Sequence, residues 1–308
     1  MDLKVLGWWP VVLLSLTGLV AEVPDLWLVD AAKEGDREAL HRLVEEGVDV
    51  NLAPVDGETA LHWAAGSWHT ELTGSLRGIE TDREEEWHSL NGLRADKVEL
   101  VEALLAHGAD VDARLEKKPP QYGFSSQRLR VSVIGATPLL LAAMDGNVDV
   151  MRVLAEAGAD PRLGTEENTT PLMVAAGLGQ VPAETRVAER DSLEAVEFLW
   201  KLGAGADVNV TNVVGRTALH GAAHIRSDAI VQLLVDHGAQ VNVEDQQGIT
   251  PLMIAEGGGH VLLPGLGGGS TADLLRGLGG GDETAPSDFI ERFDNCRFVG
   301  TRCVEVIR

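Results

Sequence analysis

The amino-acid sequence predicts an all-α fold, a solenoid of about six helix-turn-helix units with three loop insertions. A Thr-Pro-Leu or Thr-Ala-Leu segment recurs five times, beginning at Thr59, Thr137, Thr170, Thr217 and Thr250. Thr137 and Thr170 are 33 residues apart, and so are Thr217 and Thr250. A Gly-Ala segment followed by Asp or Gln lies between them, at Gly108, Gly158, Gly205 and Gly238, with a looser copy at Gly47. A fixed period of this length is typical of repeat architectures.

Each recurring segment contains residues that begin or end a helix. Threonine is a good N-cap because its hydroxyl accepts a hydrogen bond from an otherwise unpaired backbone N–H. Proline suits the next position, where no donor is needed. An amphipathic stretch such as Val98–Leu105 follows, with apolar residues at i, i+3 and i+4. The glycine after it is expected to end the helix in a left-handed conformation, and the Asp or Asn to start a turn.

This order of helix, helix, glycine stop and turn resembles the ankyrin repeat from Leu26 to Leu278. The resemblance implies a curved solenoid in which each unit contacts only its neighbours. It places His62 and His220 where such repeats carry a hydrogen-bonding histidine. We predict repeats over 24–280, in units at about 24–51, 52–113, 114–161, 162–210, 211–243 and 244–280.

The resemblance also implies a protein-protein interaction module without catalysis. Its partner, an unidentified protein, would contact the turn tips and the first helices, which line the concave face. The corresponding tip residues are Asp56, Glu167, Val213, Val214, Gln246 and Gln247. A repeat scaffold by itself does not name the ligand.

Composition narrows the partner class. The 308 residues carry a formal net charge of −23, whereas a nucleic-acid surface needs clustered Lys and Arg. We therefore expect no nucleic-acid partner. Two cysteines are too few for a disulfide scaffold or a four-thiolate zinc site.

Residues 1–21 read as a signal peptide, because a short charged start precedes an apolar run that ends at Ala21. Cleavage would make this an exported protein, periplasmic or extracellular, similar to exported bacterial ankyrin-repeat proteins. Two alternatives stay open: a misassigned start, and an uncleaved anchor that makes the array a membrane-attached envelope scaffold. Only the anchor would involve a membrane.

Three insertions interrupt the units, at Ser67–Asp96, Arg114–Ile134 and Gln180–Arg190. Insertions in solenoids usually fall in loops on one face. The second insertion is basic and aromatic, with Lys117, Lys118, Tyr122, Phe124, Arg128 and Arg130. Because Tyr and Arg dominate binding hot spots, it is a candidate contact finger. A loop that only balances the acidic surroundings, or a disordered insertion, fits the same residues.

Catalytic and metal-binding motifs are not evident. His220 and His224 have the i, i+4 spacing of a zinc pair, but the sequence between them lacks the glutamate of His-Glu-x-x-His, and the repeat itself explains His220. Glu84–Glu86 with His88 reads as a solvated charged run. We expect no enzyme, no metal and no cofactor, with a metal-dependent enzyme hidden in the insertions as the alternative.

The tail, 281–308, lies outside the repeats. In an exported protein Cys296 and Cys303 would form a local disulfide, and in an intracellular one they would be free thiols. Arg302–Ile307 alternates in polarity and is predicted to pair as a short strand with Phe289–Phe298.

Overall fold

The computed structural model describes residues 27–54, 57–66, 97–117, 131–180, 187–205, 207–257 and 269–281, with the backbone of 296–299 and 302–305. Within these residues the chain forms six successive helix pairs. They are α1 (Trp27–Glu34) and α2 (Arg37–Glu45), α3 (Ala60–Ala65) and α4 (97–106), α5 (Pro138–Met144) and α6 (Val148–Glu156), α7 (Pro171–Ala175) and α8 (Glu189–Lys201), α9 (Ala218–Ile225) and α10 (Asp228–Asp236), α11 (Pro251–Ala255) and α12 (Ser270–Gly277).

The first helices of the pairs pack in one row, α1 on α3, α3 on α5, α5 on α7, α7 on α9 and α9 on α11. We call them the inner helices. The second, outer helices form a parallel row, in which α6 packs on α8, α8 on α10 and α10 on α12. Each helix meets its own partner and its neighbours along the array, as in a solenoid. The predicted all-α fold is confirmed.

The inner helices begin as the sequence predicts. The hydroxyl groups of Thr137, Thr170 and Thr250 each accept a hydrogen bond from the backbone N–H three residues later, at 3.3 Å. Proline occupies the following position in α5, α7 and α11. These caps set the same entry direction for successive helices, which lets the units stack in register.

Glycine ends the outer helices, but in the fourth unit the predicted glycine is wrong. Gly108, Gly158 and Gly238 have φ of 89°, 97° and 90°, as expected. In the fourth unit the left-handed residue is Gly203, at 88°, and its N–H donates to the carbonyl oxygen of Trp200. Gly205 instead lies against the Trp200 ring, where a Cβ would come within 2.1 Å of a ring carbon. Two extra residues after the helix stop therefore displace the repeated Gly-Ala-Asp sequence.

The core lies between the two rows of helices and is built from Leu, Val and Ala. The alanine pairs of four inner helices are at most 2% exposed, which brings adjacent helices close together. They are Ala64–Ala65, Ala142–Ala143, Ala175–Ala176 and Ala222–Ala223.

The three insertions begin and end in two different kinds of loop, and their placement on one face stays a prediction. The first and third connect an inner helix to its outer helix, at 66–97 and 180–187, whereas the second lengthens a loop that leads into an inner helix. The third is also shorter than predicted, because Glu189 and Arg190 belong to α8. The aromatic and acidic residues of the first insertion lie outside the described residues.

A two-stranded hairpin lies in the tail, where β1 (Cys296–Val299) pairs antiparallel with β2 (Arg302–Glu305). The predicted strand pairing is confirmed over these residues. Phe298 lies opposite Cys303 and Glu305 opposite Cys296. The cysteine side chains are outside the described part of the chain, so the disulfide stays a prediction.

No helix among the described residues is long and apolar enough to cross a membrane. The predicted signal segment, 1–21, falls outside those residues.

Candidate protein-interaction surface

The loops that lead from an outer helix to the next inner helix form a row of projections, which we call fingers. The third finger spans 114–117 and 131–136, the fourth 160–169, the fifth 207–216 and the sixth 240–249. Backbone hydrogen bonds of 2.9 Å join neighbouring tips. Glu166 N–H donates to the Ile134 carbonyl, Val213 N–H to Glu167, and Gln246 N–H to Val214. The tips therefore form one continuous strip rather than separate loops.

Side-chain acceptors fix the shape of the fifth and sixth tips. The Oδ1 atom of Asn212 accepts from the N–H groups of Val214 and Arg216, at 3.2 and 3.0 Å. Asp245 does the same for Gln247 and Ile249, at 2.9 and 3.0 Å. Such turns hold the two tip residues in place without a partner present. Little ordering entropy then has to be lost on binding.

Five of the predicted contact residues lie together on this strip. Val213 is 50% exposed, Gln246 and Gln247 are exposed, and Glu167 and Val214 are half-buried. Glu166, which the sequence analysis did not select, is exposed beside them. Glu166 directly follows the residue that starts its turn, as Val213 and Gln246 do in the next two fingers. This recurrence could have identified Glu166 from the sequence. Lys117 is exposed at the base of the third finger, whereas the remaining predicted residues lie outside the described residues: Asp56, Lys118, Tyr122, Phe124, Arg128 and Arg130.

A buried ion pair supports the fifth and sixth fingers. The Nε atom of Arg216 donates to Oδ2 of Asp245 at 3.0 Å, and the two side chains are 6% and 0% exposed. The pair joins the base of one finger to the next. It fixes the spacing between the tip residues of the two units.

Two histidines connect units through backbone carbonyls. The His62 Nε2 atom lies 3.1 Å from the Ala113 oxygen, and His220 Nε2 lies 3.1 Å from that of Ile249. Burial lowers the pKa of each histidine to about 4, so both are neutral at pH 7.

The i, i+4 histidines do not form a metal pair. Nε2 of His224 lies 2.9 Å from the Gln180 carbonyl of the fourth unit, whereas His220 bonds to the sixth. In the part of the chain that the structure describes, no group of three or more His, Cys, Asp or Glu could hold a metal ion. The bond of His220 to the next finger fits the role that the repeat gives to this histidine.

A second series of contacts joins the turns that directly follow the outer helices, at the start of the fingers. The side chains of Asn51, Asn209 and Asn242 donate to a glycine carbonyl in the next unit, at 2.9 to 3.0 Å. Asp112 takes this place in the second unit and accepts from the Asp160 N–H of the third, at 3.1 Å. Burial raises the pKa of the Asp112 carboxyl. These contacts hold the outer helices in register but expose no obvious binding feature.

The third finger also covers part of the inner-helix face, which sequence reasoning missed. We call residues 131–134 the arm. Val131 and Val133 are 8% and 1% exposed, and the Val131 side chain lies against Gly179, just after α7. Every residue of α3 and α7 is buried, as is all of α5 except its last. The family resemblance implied that first helices offer contact surface, and this stays a prediction. The alternating sequence Val131-Ser132-Val133 could have indicated a segment with one buried side.

Comparison with known families agrees with this architecture. A model described as "Ankyrin repeats (3 copies)" matches residues 93–183 and 185–263, more than half of the chain. A second, "Ankyrin repeats (many copies)", matches residues 28–73. The chain belongs to the ankyrin-repeat family, whose members are typically non-catalytic protein-interaction modules.

Individual relatives add little beyond the fold. The chain is 31% identical over 169 residues to the mitochondrial disaggregase of Bos taurus; the match covers 55% of this chain but only 21% of that protein. A chain in the solved complex of the Bd0816 predatory endopeptidase from Bdellovibrio bacteriovorus with immunity protein Bd3460 superposes with a TM-score of 0.53. It has 20% identity and covers 82% of this chain and 97% of that one. At this identity the likeness shows a shared fold alone.

Proposed function

We propose that the protein binds a protein partner through the finger-tip strip, without catalysis. The observation that supports this most directly is Val213, an exposed valine on a tip held by backbone bonds to both neighbouring fingers. Surface residues on preorganised loops are frequent contact sites in binding proteins. Acidic Glu166 and Glu167 border the valines on one side and Gln246 and Gln247 on the other.

The experiment compares captured proteins across two matched variants. The tip variant combines Glu167→Lys with Val213→Asp. The control, Glu102→Lys with Ala229→Asp, makes the same changes of charge at exposed positions of outer helices. A partner at the tips is captured by wild type and control and lost from the tip variant. Equal capture by all three proteins would contradict the proposal.

The basic insertion is proposed as an additional contact finger. Lys117, at the described base of this loop, is exposed. Because the chain as a whole has a net charge of −23, the basic loop would be a local positive surface that complements acidic groups on a partner. Deleting Lys118–Arg130 should weaken partner capture while leaving the helical circular dichroism unchanged. Unchanged capture would remove this loop from the binding surface.

Export remains part of the proposal and is tested separately. N-terminal sequencing of the protein purified from its own cells should begin near Glu22. Retention of Met1 in the membrane fraction would instead favour the anchored scaffold. Labelling of thiols in denatured, non-reduced protein tests the disulfide, since two reactive thiols would exclude it.

A further inference from the structure

We propose that the inner-helix face at α7 is a groove for an extended peptide, and that the arm fills this groove in cis. The groove adjoins the finger-tip strip at the hydrogen bond between Glu166 and Ile134. Val131 and Val133, which fill the groove, are buried and are not part of the strip, so the two proposals can be tested separately. The arm belongs to the described residues and shows directly what the groove accepts.

The arm runs along α7. At one end the Ile134 carbonyl accepts from the N–H of Glu166, which precedes α7. At the other end Val131 reaches Gly179, which follows α7: a Cβ on Gly179 would lie 2.8 Å from Val131 Cγ2. Three steps of extended chain cover about 10 Å, and a five-residue helix is about 8 Å long. An extended segment therefore matches the length of the groove.

The arm also indicates which peptides fit. Val131 and Val133 are buried, whereas Ser132 between them is half-buried, the alternation of an extended chain with one face covered. Gly179 has no side chain, which leaves room for the branched Val131. The groove thus suits a partner segment with β-branched apolar residues at i and i+2 and a small polar residue between them.

The arm is an addition to the repeat rather than part of it. The fourth, fifth and sixth fingers pass from their turn-starting Asp or Gln to the tip within a few residues and carry no comparable segment. Their inner helices α7, α9 and α11 form nonetheless. A competing segment that displaces the arm would therefore leave the helix pairs in place.

The test uses a fluorescein-labelled synthetic peptide that copies residues 129–135 and full-length protein with Cys296→Ser and Cys303→Ser. An open variant carries Val131→Asp. A locked variant carries Val131→Cys and Gly179→Cys, positions at which the Val131 Cβ and a Cβ built on Gly179 are 3.7 Å apart. This separation falls in the range that a disulfide requires.

Fluorescence anisotropy should show the open variant binding the peptide at least tenfold more tightly than the wild-type background. The oxidised locked variant should show no binding, and reduction should restore the background level. A peptide with aspartate at both valine positions should bind none of the proteins. Val213→Asp, the same change on an exposed tip, should leave peptide binding at the background level.

Equal binding by the open, wild-type and oxidised locked proteins would overturn the proposal, as would no binding by a folded open variant. If circular dichroism shows that Val131→Asp is unfolded, Val131→Ser replaces it under the same criteria. Peptide binding by Val213→Asp at the level of the open variant would also overturn it. Loss of partner capture in the tip variant bears only on the finger-tip strip.

Discussion

The Nε2 atom of His220 lies 3.1 Å from the carbonyl oxygen of Ile249, so a buried imidazole joins the fifth inner helix to the sixth finger. Its Nδ1 atom accepts from the backbone N–H of Thr217 at 3.1 Å. Nδ1 must therefore be unprotonated, and Nε2 carries the single proton. His62 makes the equivalent contacts with Thr59 and Ala113. The two contacts require neutral histidine, and this makes the array sensitive to acid.

We predict that stability falls as pH is lowered from about 6.5 to about 4. Burial holds the pKa of His62 and His220 at about 4 in the folded protein, against 6.5 for an ordinary histidine. Between these values the unfolded chain binds more protons, so acid favours unfolding; above pH 6.5 the stabilisation is complete. The loss is up to about 3 kcal/mol per histidine. Urea denaturation at intervals from pH 4 to 7 measures it.

The control for this prediction is His220→Met. Methionine occupies the same position in the fourth unit, where the Met173 sulfur lies 3.5 Å from the Thr170 nitrogen. The variant is expected to be less stable at pH 7 but to lose less stability on acidification. An unchanged pH dependence would show that carboxylates, not this histidine, cause the acid sensitivity.

The second prediction concerns the buried pair of Arg216 and Asp245. Arg216→Leu should destabilise the protein by about 3–5 kcal/mol, because it leaves a buried carboxylate without its cation. Adding Asp245→Asn should recover part of this loss. Asparagine is uncharged and keeps the turn, as Asn212 does in the preceding finger. A denaturation cycle of the four proteins measures the coupling, and additive effects would contradict it.

The sequence predicted the helix pairs because their boundary signals are local. Thr137 and Pro138 specify a helix start through one hydroxyl and one missing donor, without any tertiary contact. Local signals are also the reason that the helix stop was predicted at Gly205 and not at Gly203. Gly203 and Gly205 both fit the glycine signal, and only packing of Gly205 against the Trp200 ring distinguishes them. The position of the helix stop therefore depends on a packing contact that the local sequence does not specify.

The third prediction is that the first insertion can be removed without unfolding the array. Lys97 donates from Nζ to the Gly66 carbonyl at 3.0 Å, so the two ends of the insertion are tied together. In the third unit the same connection takes only the three residues 145–147. Replacing 67–96 by Asp-Gly-Asn should leave the thermal unfolding transition cooperative. A broad transition, or loss of helical signal, would instead make the insertion part of the core.

The tip residues were predictable, whereas the covered groove was not. Val213 and Gln246 follow the turn-starting residue at the same distance in each unit, so the period alone locates them. The position of Val131 depends on Gly179, 48 positions further along the chain and in the next unit. No periodic signal connects these two residues. The insertion that contains Val131 therefore read as a projecting loop, although Val131 lies against Gly179 in the next unit.

The fourth prediction isolates the contact between Val131 and Gly179 by comparing two glycines. Gly179 and Gly238 both have φ of 90°, so alanine is strained equally at either position. A Cβ on Gly238 would meet nothing within 4 Å, whereas one on Gly179 would come within 2.8 Å of Val131. Gly238→Ala should cost about 1–2 kcal/mol from the left-handed backbone alone. Gly179→Ala should cost about 1–3 kcal/mol more, because overpacking adds to the strain.

The matched rescue is Val131→Ala combined with Gly179→Ala. Shortening the valine removes the clash, so the double variant should be more stable than Gly179→Ala alone, despite having lost two buried methyl groups. The same Val131→Ala change in the Gly238→Ala background should only destabilise. Free energies of unfolding from urea titrations of the four variants provide the comparison. If Val131→Ala lowers stability equally in both backgrounds, the arm does not lie against Gly179 in solution.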